Sequence, residues 1–418
     1  MTIYILFNEK LEAHNEDQQF RVLISFEDLS NREEFIKKHK DLNILVNIDF
    51  IPSISTILSK KEILSYEKEK LIKQIEEDQK LHFSMLEVIE ILGLNEYKNS
   101  HISYKGKNVN VGIIDDGINK NLPSLIQQTS LLDKNEKIEN IKIQENEISH
   151  GTIIASIISN QFKNVDKNFI GIAPNVNLID LRISKSNEGC YFSNILKIFD
   201  KIIEDKITID ILLLSLTAKG PSDGKDILSL ACNLFVDMGL IIVSPAGNFG
   251  PESYTIGSPG AAEKVITIGA LTKELTIPNF SGRGPTLDNR KKPDLCLPSS
   301  NVVVPLSHNF RVKVTGTSVS ASIGAGIIAL IKEYDPKISY TEIIELIKKT
   351  SLDLNYDSNA QGLGTVIVSD IFKNLDLLHD KLIPYNYLVK KSIKVTLELV
   401  ILFVIIFFLF NLFRILFY

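Results

Sequence analysis

The sequence predicts an α/β protein: a large domain on a mostly parallel sheet, preceded by a small α+β unit and followed by one apolar C-terminal helix. Three observations carry this. From Lys107 to about Leu378, short and nearly continuous apolar runs bounded by Gly, Pro or Asp alternate with helical stretches, the texture of strands buried on both faces. Residues 20–84 follow the smaller pattern β-α-β-β-α-β. Val395 to Tyr418 carries only Glu398, Asn411 and Arg414 as strongly polar residues, and roughly 20 apolar residues suffice to cross a bilayer.

Taken in order, Met1 to Glu9 lacks the leading positive charge and long apolar run of a secretion signal. Phe20–Phe26 alternates as a strand does, and Asn31–His39 reads as a helix. Asn43–Leu58, interrupted by Pro52, predicts two strands at a turn. Lys60–Asp78 reads as a charged amphipathic helix and Leu81–Ser84 as a closing strand. The predicted organisation is an α+β unit over 1–84, a connector with a short helix over 85–104, and the main domain over 105–378. A polar linker over 379–394 and a transmembrane helix over 395–418 follow. Within the main domain, strands are expected at Val109–Ile114, Val176–Ile183, Ile209–Leu216, Gly239–Val243 and Val265–Ile268.

Composition narrows the class. An apolar fraction of 44% with 23% charged residues is that of a globular chain, and a net charge of −5 speaks against a nucleic-acid surface. The cysteines, Cys190, Cys232 and Cys296, are widely separated and show no metal-ligand spacing. They fit a reducing compartment, or an exported protein without disulfides.

Three stretches carry chemistry. Gly316-Thr317-Ser318 opens a run of small residues and then an apolar helix, so a hydroxyl sits where free N–H groups cluster. Close packing alone would also explain those small residues. Asp115 ends an apolar strand ahead of Asp116-Gly117, which places a carboxylate at the C-terminal edge of the sheet, where α/β sites form; a turn cap is the plainer reading. His150, in Ser149-His150-Gly151-Thr152, opens another apolar helix, where a structural histidine is equally ordinary.

Together, however, Asp115 in Asp-x-Gly, His150 in His-Gly-Thr and Ser318 in Gly-Thr-Ser, in that order, resemble the subtilisin-like serine proteases, the subtilases. Ser244-Pro245-Ala246-Gly247-Asn248-Phe249-Gly250 resembles the loop that offers an oxyanion-hole asparagine. Gly171-Ile172-Ala173-Pro174 and Asn279-Phe280-Ser281-Gly282 agree, and the resemblance covers about residues 105–375. It implies a subtilisin-like three-layer fold and hydrolysis of peptide bonds by an Asp115–His150–Ser318 triad with Asn248 as oxyanion donor. It also implies that residues 1–84 are a prodomain, a partner folded with and later cleaved from the enzyme.

The resemblance further implies that Ser215-Leu216-Thr217 and Gly189-Cys190-Tyr191 are the two edges that pair with an extended peptide substrate. This chain departs from the family at three places. Asp116 stands where Ser or Thr is usual, Ser322 where proline is common, and Thr217-Ala218 where two glycines lie. Thr217 should narrow the pocket before the scissile bond and restrict specificity. The chemistry needs no cofactor; a structural calcium is compatible with the sequence, but no Asp/Asn-alternating loop identifies its site.

Two other classes fit the sequence less well. A subtilisin-fold peptide-binding or chaperone module has no need of all four chemical residues. A nucleotide-binding protein would need a Gly-rich turn after a strand, and Gly324-Ala325-Gly326 lacks that context. For the C-terminal segment, Lys390, Lys391 and Lys394 on one side against Arg414 on the other favour a single-pass anchor in the lipid bilayer with the catalytic domain in the cytoplasm.

Overall fold

The computed structural model describes residues 3–83, 104–120, 122, 124–130, 149–160, 171–184, 189–307, 310–368 and 370–375. The expected linker (379–394) and transmembrane helix (395–418) lie outside them, as does nearly all of the connector. Among the described residues, no helix is long and apolar enough to cross a membrane. Contacts divide the chain into two compact units, Met1–Val366 and Ile367–Tyr418.

The N-terminal elements are α1 (Ile5–Glu12), β1 (Gln19–Phe26), α2 (Leu29–Lys38), β2 (Ile44–Ile48), β3 (Ser53–Ser59), α3 (Lys60–Tyr66), β4 (Ile72–Glu77) and β5 (Lys80–Phe83). Strands β2-β3-β1-β4 form an antiparallel sheet around an apolar cluster that includes Phe7, Leu11, Val22, Ile24, Phe35 and Ile75. Helix α2 begins where the Asp28 carboxylate accepts from Asn31 N–H, and α3 begins at a capping box formed by Ser59 and Glu62.

One expectation fails here. The helix expected over Lys60–Asp78 stops at Tyr66, and Ile72–Glu77 is instead the edge strand β4. Ile72 and Ile75 are buried three residues apart, a helical spacing, and an irregularity in the pairing with β1 brings both opposite Phe26 and Ile24 on one face. The expected closing strand is present as β5, which leaves this sheet and pairs with strands of the following domain.

That domain contains β6 (Asn110–Asp115), β7 (Leu125–Ser130), α4 (His150–Ile158), β8 (Asn177–Arg182), β9 (Cys190–Tyr191), α5 (Phe192–Glu204), β10 (Ile211–Leu214) and β11 (Leu216–Ala218). It continues through α6 (Ile227–Asp237), β12 (Ile241–Pro245), β13 (Ile266–Leu271), β14 (Leu295–Pro298), the hairpin β15 (Val302–Ser307) and β16 (Phe310–Val314), α7 (Thr317–Tyr334) and α8 (Tyr340–Thr350). Seven strands form a wholly parallel sheet in the order β14-β13-β12-β10-β6-β8-β7.

Helices cover the sheet, as the continuous apolar strands require. Helix α7 lies on β10, β12, β13 and β14 and packs against α4. A Cβ on Gly324 would collide with the Ile268 side chain, so the small-residue run of α7 lets the helix seat closely. Helices α5 and α6 share an apolar cluster with Leu212, Leu214 and Ile242. At roughly 25 cal/mol per Å² of apolar area, this burial is the main stabilising contribution to the domain.

The N-terminal sheet is fastened to α5 and α6 by their end groups. Asp78 accepts from Ser193 N–H (3.0 Å) at the start of α5 and from Arg21 Nε (2.7 Å). Glu76 accepts from Ile227 N–H (2.9 Å) at the start of α6. In the reverse direction, Asp200 of α5 accepts from the N–H groups of Asp49 and Phe50.

Candidate active site

Each of the three chemical residues stands at the end of an element, because only there can a side chain project clear of a covered parallel sheet. Asp115 is the last residue of β6, His150 the first of α4 and Thr317-Ser318 the first two of α7. Ser149 caps α4 by accepting from Thr152 N–H (3.1 Å), which fixes where the histidine emerges.

The geometry brings them together. His150 Nδ1 lies 2.8 and 2.9 Å from the two Asp115 carboxylate oxygens, and His150 Nε2 lies 3.3 Å from Ser318 Oγ. With Nδ1–H donating to the carboxylate, Nε2 is left to face the hydroxyl. All three side chains are buried. Burial disfavours the charged imidazolium, the Asp115 carboxylate and its hydrogen bond favour it, and Asp116 adds to them; the balance lies above the ordinary histidine value.

Asn248, in the loop after β12, is turned by its acceptor side. Its Oδ1 accepts from Thr317 N–H (3.0 Å) and from the Thr317 hydroxyl (2.9 Å). Its Nδ2 is buried and has no hydrogen-bond partner among the described residues. A buried amide donor left unsatisfied beside a nucleophile is the arrangement an oxyanion hole requires.

The two predicted substrate edges do pair with an extended segment, and that segment belongs to the chain itself. β5 lies antiparallel between β11 and β9, with Phe83 opposite Leu216, His82 opposite Thr217, Leu81 opposite both Ala218 and Cys190, and Lys80 opposite Tyr191. Leu81 is fully buried in the cluster that contains Ile114, Cys190, Leu216 and Ala218. Gly189 has φ +73, and a Cβ there would run into the Leu81 carbonyl, so the edge must be glycine for the strand to approach. Thr217 is buried, and a Cβ on Gly247 would sit 3.1 Å from its Cγ2, which places the methyl group beside the Asn248 loop. Ser215, between β10 and β11, keeps a buried Oγ without a hydrogen-bond partner among the described residues.

Two residues of the site were not assigned a role by their motifs. Asp116 is buried and engages the start of α4. Asp180, in the middle of β8, accepts from Ile118 N–H and from the Gln128 amide (both 3.1 Å) and so steadies the loop that follows Asp115. Burial pushes its carboxyl up to about 7. The available signal was an acid interrupting an otherwise apolar strand, Leu178-Ile179-Asp180-Leu181. As for metals, Asp49, Asp200 and Glu204 bring ligand atoms within 4.8 Å of one another. Asp200 there is already taken up by two backbone N–H groups and by Lys197, an arrangement that joins two parts of the fold.

Comparison with known proteins gives the same picture. The family pattern Peptidase_S8, described as the subtilase family, matches residues 106–364. Serine protease AprX of Bacillus subtilis (strain 168) is 29% identical over 291 residues, covering 62% of this chain and 65% of that protein. The thermostable alkaline protease of Halalkalibacterium halodurans is 23% identical over 358 residues, covering 85% of this chain and 93% of its own length. Among solved structures, fervidolysin from Fervidobacterium pennivorans, a keratinolytic enzyme related to subtilisin, shares the fold with a TM-score of 0.65 at 16% identity, covering 86% of this chain and 62% of that one. The chain belongs to the subtilase family of subtilisin-like serine proteases.

Proposed function

We propose that the protein is a serine endopeptidase of restricted specificity, made with an N-terminal prodomain and held at a membrane by its C-terminal segment. The observation that carries the catalytic part is the continuous contact Asp115–His150–Ser318 beside the unpaired Asn248 Nδ2. His150 Nε2 takes the Ser318 hydroxyl proton as Oγ attacks the peptide carbonyl carbon. Asn248 Nδ2 and the Ser318 N–H donate to the oxyanion. The imidazolium, steadied by Asp115, returns the proton to the leaving amine, and water then hydrolyses the acyl-serine by the same exchange in reverse. The 3.3 Å between Nε2 and Oγ is a loose contact that substrate binding tightens.

Support for the prodomain reading is the seat of β5 along both substrate edges and the carboxylates by which residues 49–78 join α5 and α6. The same segment that assists folding occupies the cleft until it is cut, within the stretch between Ser84 and Lys105. Parallel sheets must bring distant strands together before contacts reward it, so a templating surface has a physical purpose. Support for restricted specificity is the Thr217 methyl group beside the Asn248 loop.

The deciding experiment uses chain truncated at about residue 390. It hydrolyses peptides and is labelled at Ser318 by a serine-directed phosphonate, and Ser318→Ala removes both. Labelling that survives Ser318→Ala assigns the nucleophile elsewhere and overturns the reading. Membrane attachment is carried by the composition of Val395–Tyr418, with the cytoplasmic orientation resting on Lys390, Lys391 and Lys394. Protease added to intact cells should leave the catalytic part whole; its digestion there reverses the orientation.

A further inference from the structure

We propose that Asp116 is a positioning residue for the hydrolysis: a second carboxylate that holds the first turn of α4, and with it the His150 imidazole, against Asp115. The proposal rests on the protease reading above and deepens it. Asp116 is only 2% exposed. Its Oδ2 accepts from the N–H of His150 itself (3.1 Å) and its Oδ1 from the N–H of Gly151 (2.8 Å). Its own N–H donates to Asp115 Oδ1 (2.7 Å). One residue therefore grips the backbone of the general base with its side chain and the orienting carboxylate with its main chain.

The surroundings make this grip specific. Gly151 is packed so closely that a Cβ would lie 2.6 Å from the Gly117 carbonyl oxygen and 3.0 Å from Asp115 Cβ. The start of α4 thus sits directly on the turn that carries Asp115 and Asp116. The two oxygens of a carboxylate can each take one N–H of this turn, which a single hydroxyl can match only by sharing one atom. A negative group at a helix N-terminus is also favoured by the aligned peptide dipoles.

The groups facing Asp116 are Asp115 from β6 and His150 with the Gly151 N–H from α4. Burial and the Asp115 charge push its carboxyl up to about 7, while His150 and the Gly151 N–H pull in the other direction. As a carboxylate it raises the proton affinity of His150. It therefore acts on the base both through geometry and through charge, which a mere turn cap does not.

Two measurements on Asp116→Asn and Asp116→Ser test this in the otherwise intact chain. In the Ser318→Ala background, which needs no turnover, the His150 imidazole is titrated by NMR. Asp116→Asn should move that titration to lower pH, and Asp116→Ser should do the same. With Ser318 present, kcat should fall about tenfold to a hundredfold in Asp116→Asn, with KM little changed, as displacement of a catalytic group predicts. The acid limb of kcat/KM should move with the NMR titration, and Asp116→Ser should recover part of kcat without restoring the limb. An unmoved His150 titration in folded Asp116→Asn and Asp116→Ser overturns the proposal, as does a fall in kcat that merely follows loss of folded protein. A moved titration in a chain that cleaves no peptide and takes no phosphonate would instead sink the protease reading and leave the positioning intact.

Discussion

The catalytic centre and the cleft beside it are assembled differently. Asp115, His150 and Ser318 come from the ends of three elements of one domain, and the contacts that join the three lie within it. The cleft is lined by β9 and β11 of that domain, but what fills it is β5, from the N-terminal part of the chain. On the proposed reading the chemistry is built in, and access to it depends on whether residues 80–83 stay in place. An enzyme arranged this way can fold with its nucleophile and base in register before any substrate can reach them.

The sharpest test on the catalytic side is Asn248→Ala. It removes the unpaired donor and also the acceptor that Thr317 uses. Losing one oxyanion donor costs about 10²–10³ in kcat, a magnitude that comes from a subtilisin. Steady-state kinetics on a peptide should show that loss with KM nearly unchanged. A loss smaller than tenfold would mean that backbone donors alone hold the oxyanion.

On the cleft side, Thr217→Gly should widen the pocket that receives the residue before the scissile bond. A methylene-sized change in an apolar pocket is worth ~1–3 kcal/mol, so cleavage after large aromatic residues should rise at least about tenfold relative to small ones. A peptide library compared between the two proteins reads this directly. A strong Phe or Tyr preference already present with Thr217 in place would show that its methyl group does not set the limit.

The same division explains what could be read from the sequence. That Asp115, His150 and Ser318 would meet was legible because each lies inside a short motif at an element end, where glycine or a cap constrains the local backbone. The parallel strands were legible because burial on both faces leaves continuous apolar runs. Strand β4 was not, since Ile72 and Ile75 stand at a helical spacing and only an irregular pairing with β1 brings them to one face of a strand. The role of Asp116 was hidden because its partners, the N–H groups of His150 and Gly151, lie 34 and 35 residues away. The pairing of Glu76 with the start of α6 spans 151 residues and exists only when two parts of the fold dock.

That last contact gives the smallest expected effect and the one that most directly joins the two regions. Glu76 is fully buried where β4 meets α6, facing Asp226 and, more weakly, Asp78; Tyr4, whose hydroxyl donates to Asp223, lies within the same field. Burial first, and then the Asp226 charge, raise its carboxyl well above the ordinary value, against the pull of the Ile227 N–H and the Gln74 amide. Undocked, Glu76 has no reason to depart from ordinary carboxyl behaviour, so the docked form binds its proton more tightly. The sign follows: this contribution to docking is fully present below the ordinary carboxyl range and is lost as pH rises through the raised value. One proton limits the change to about tenfold in the docking equilibrium per pH unit. Hydrogen exchange on intact Ser318→Ala protein, corrected for the intrinsic rate, should show protection of the β5 amides declining as pH rises. Glu76→Gln keeps an acceptor for Ile227 N–H without the charge, and should flatten the decline. A pH dependence equally steep in that variant would place the sensitivity elsewhere in the interface, with Asp226 or Asp78 the next groups to replace.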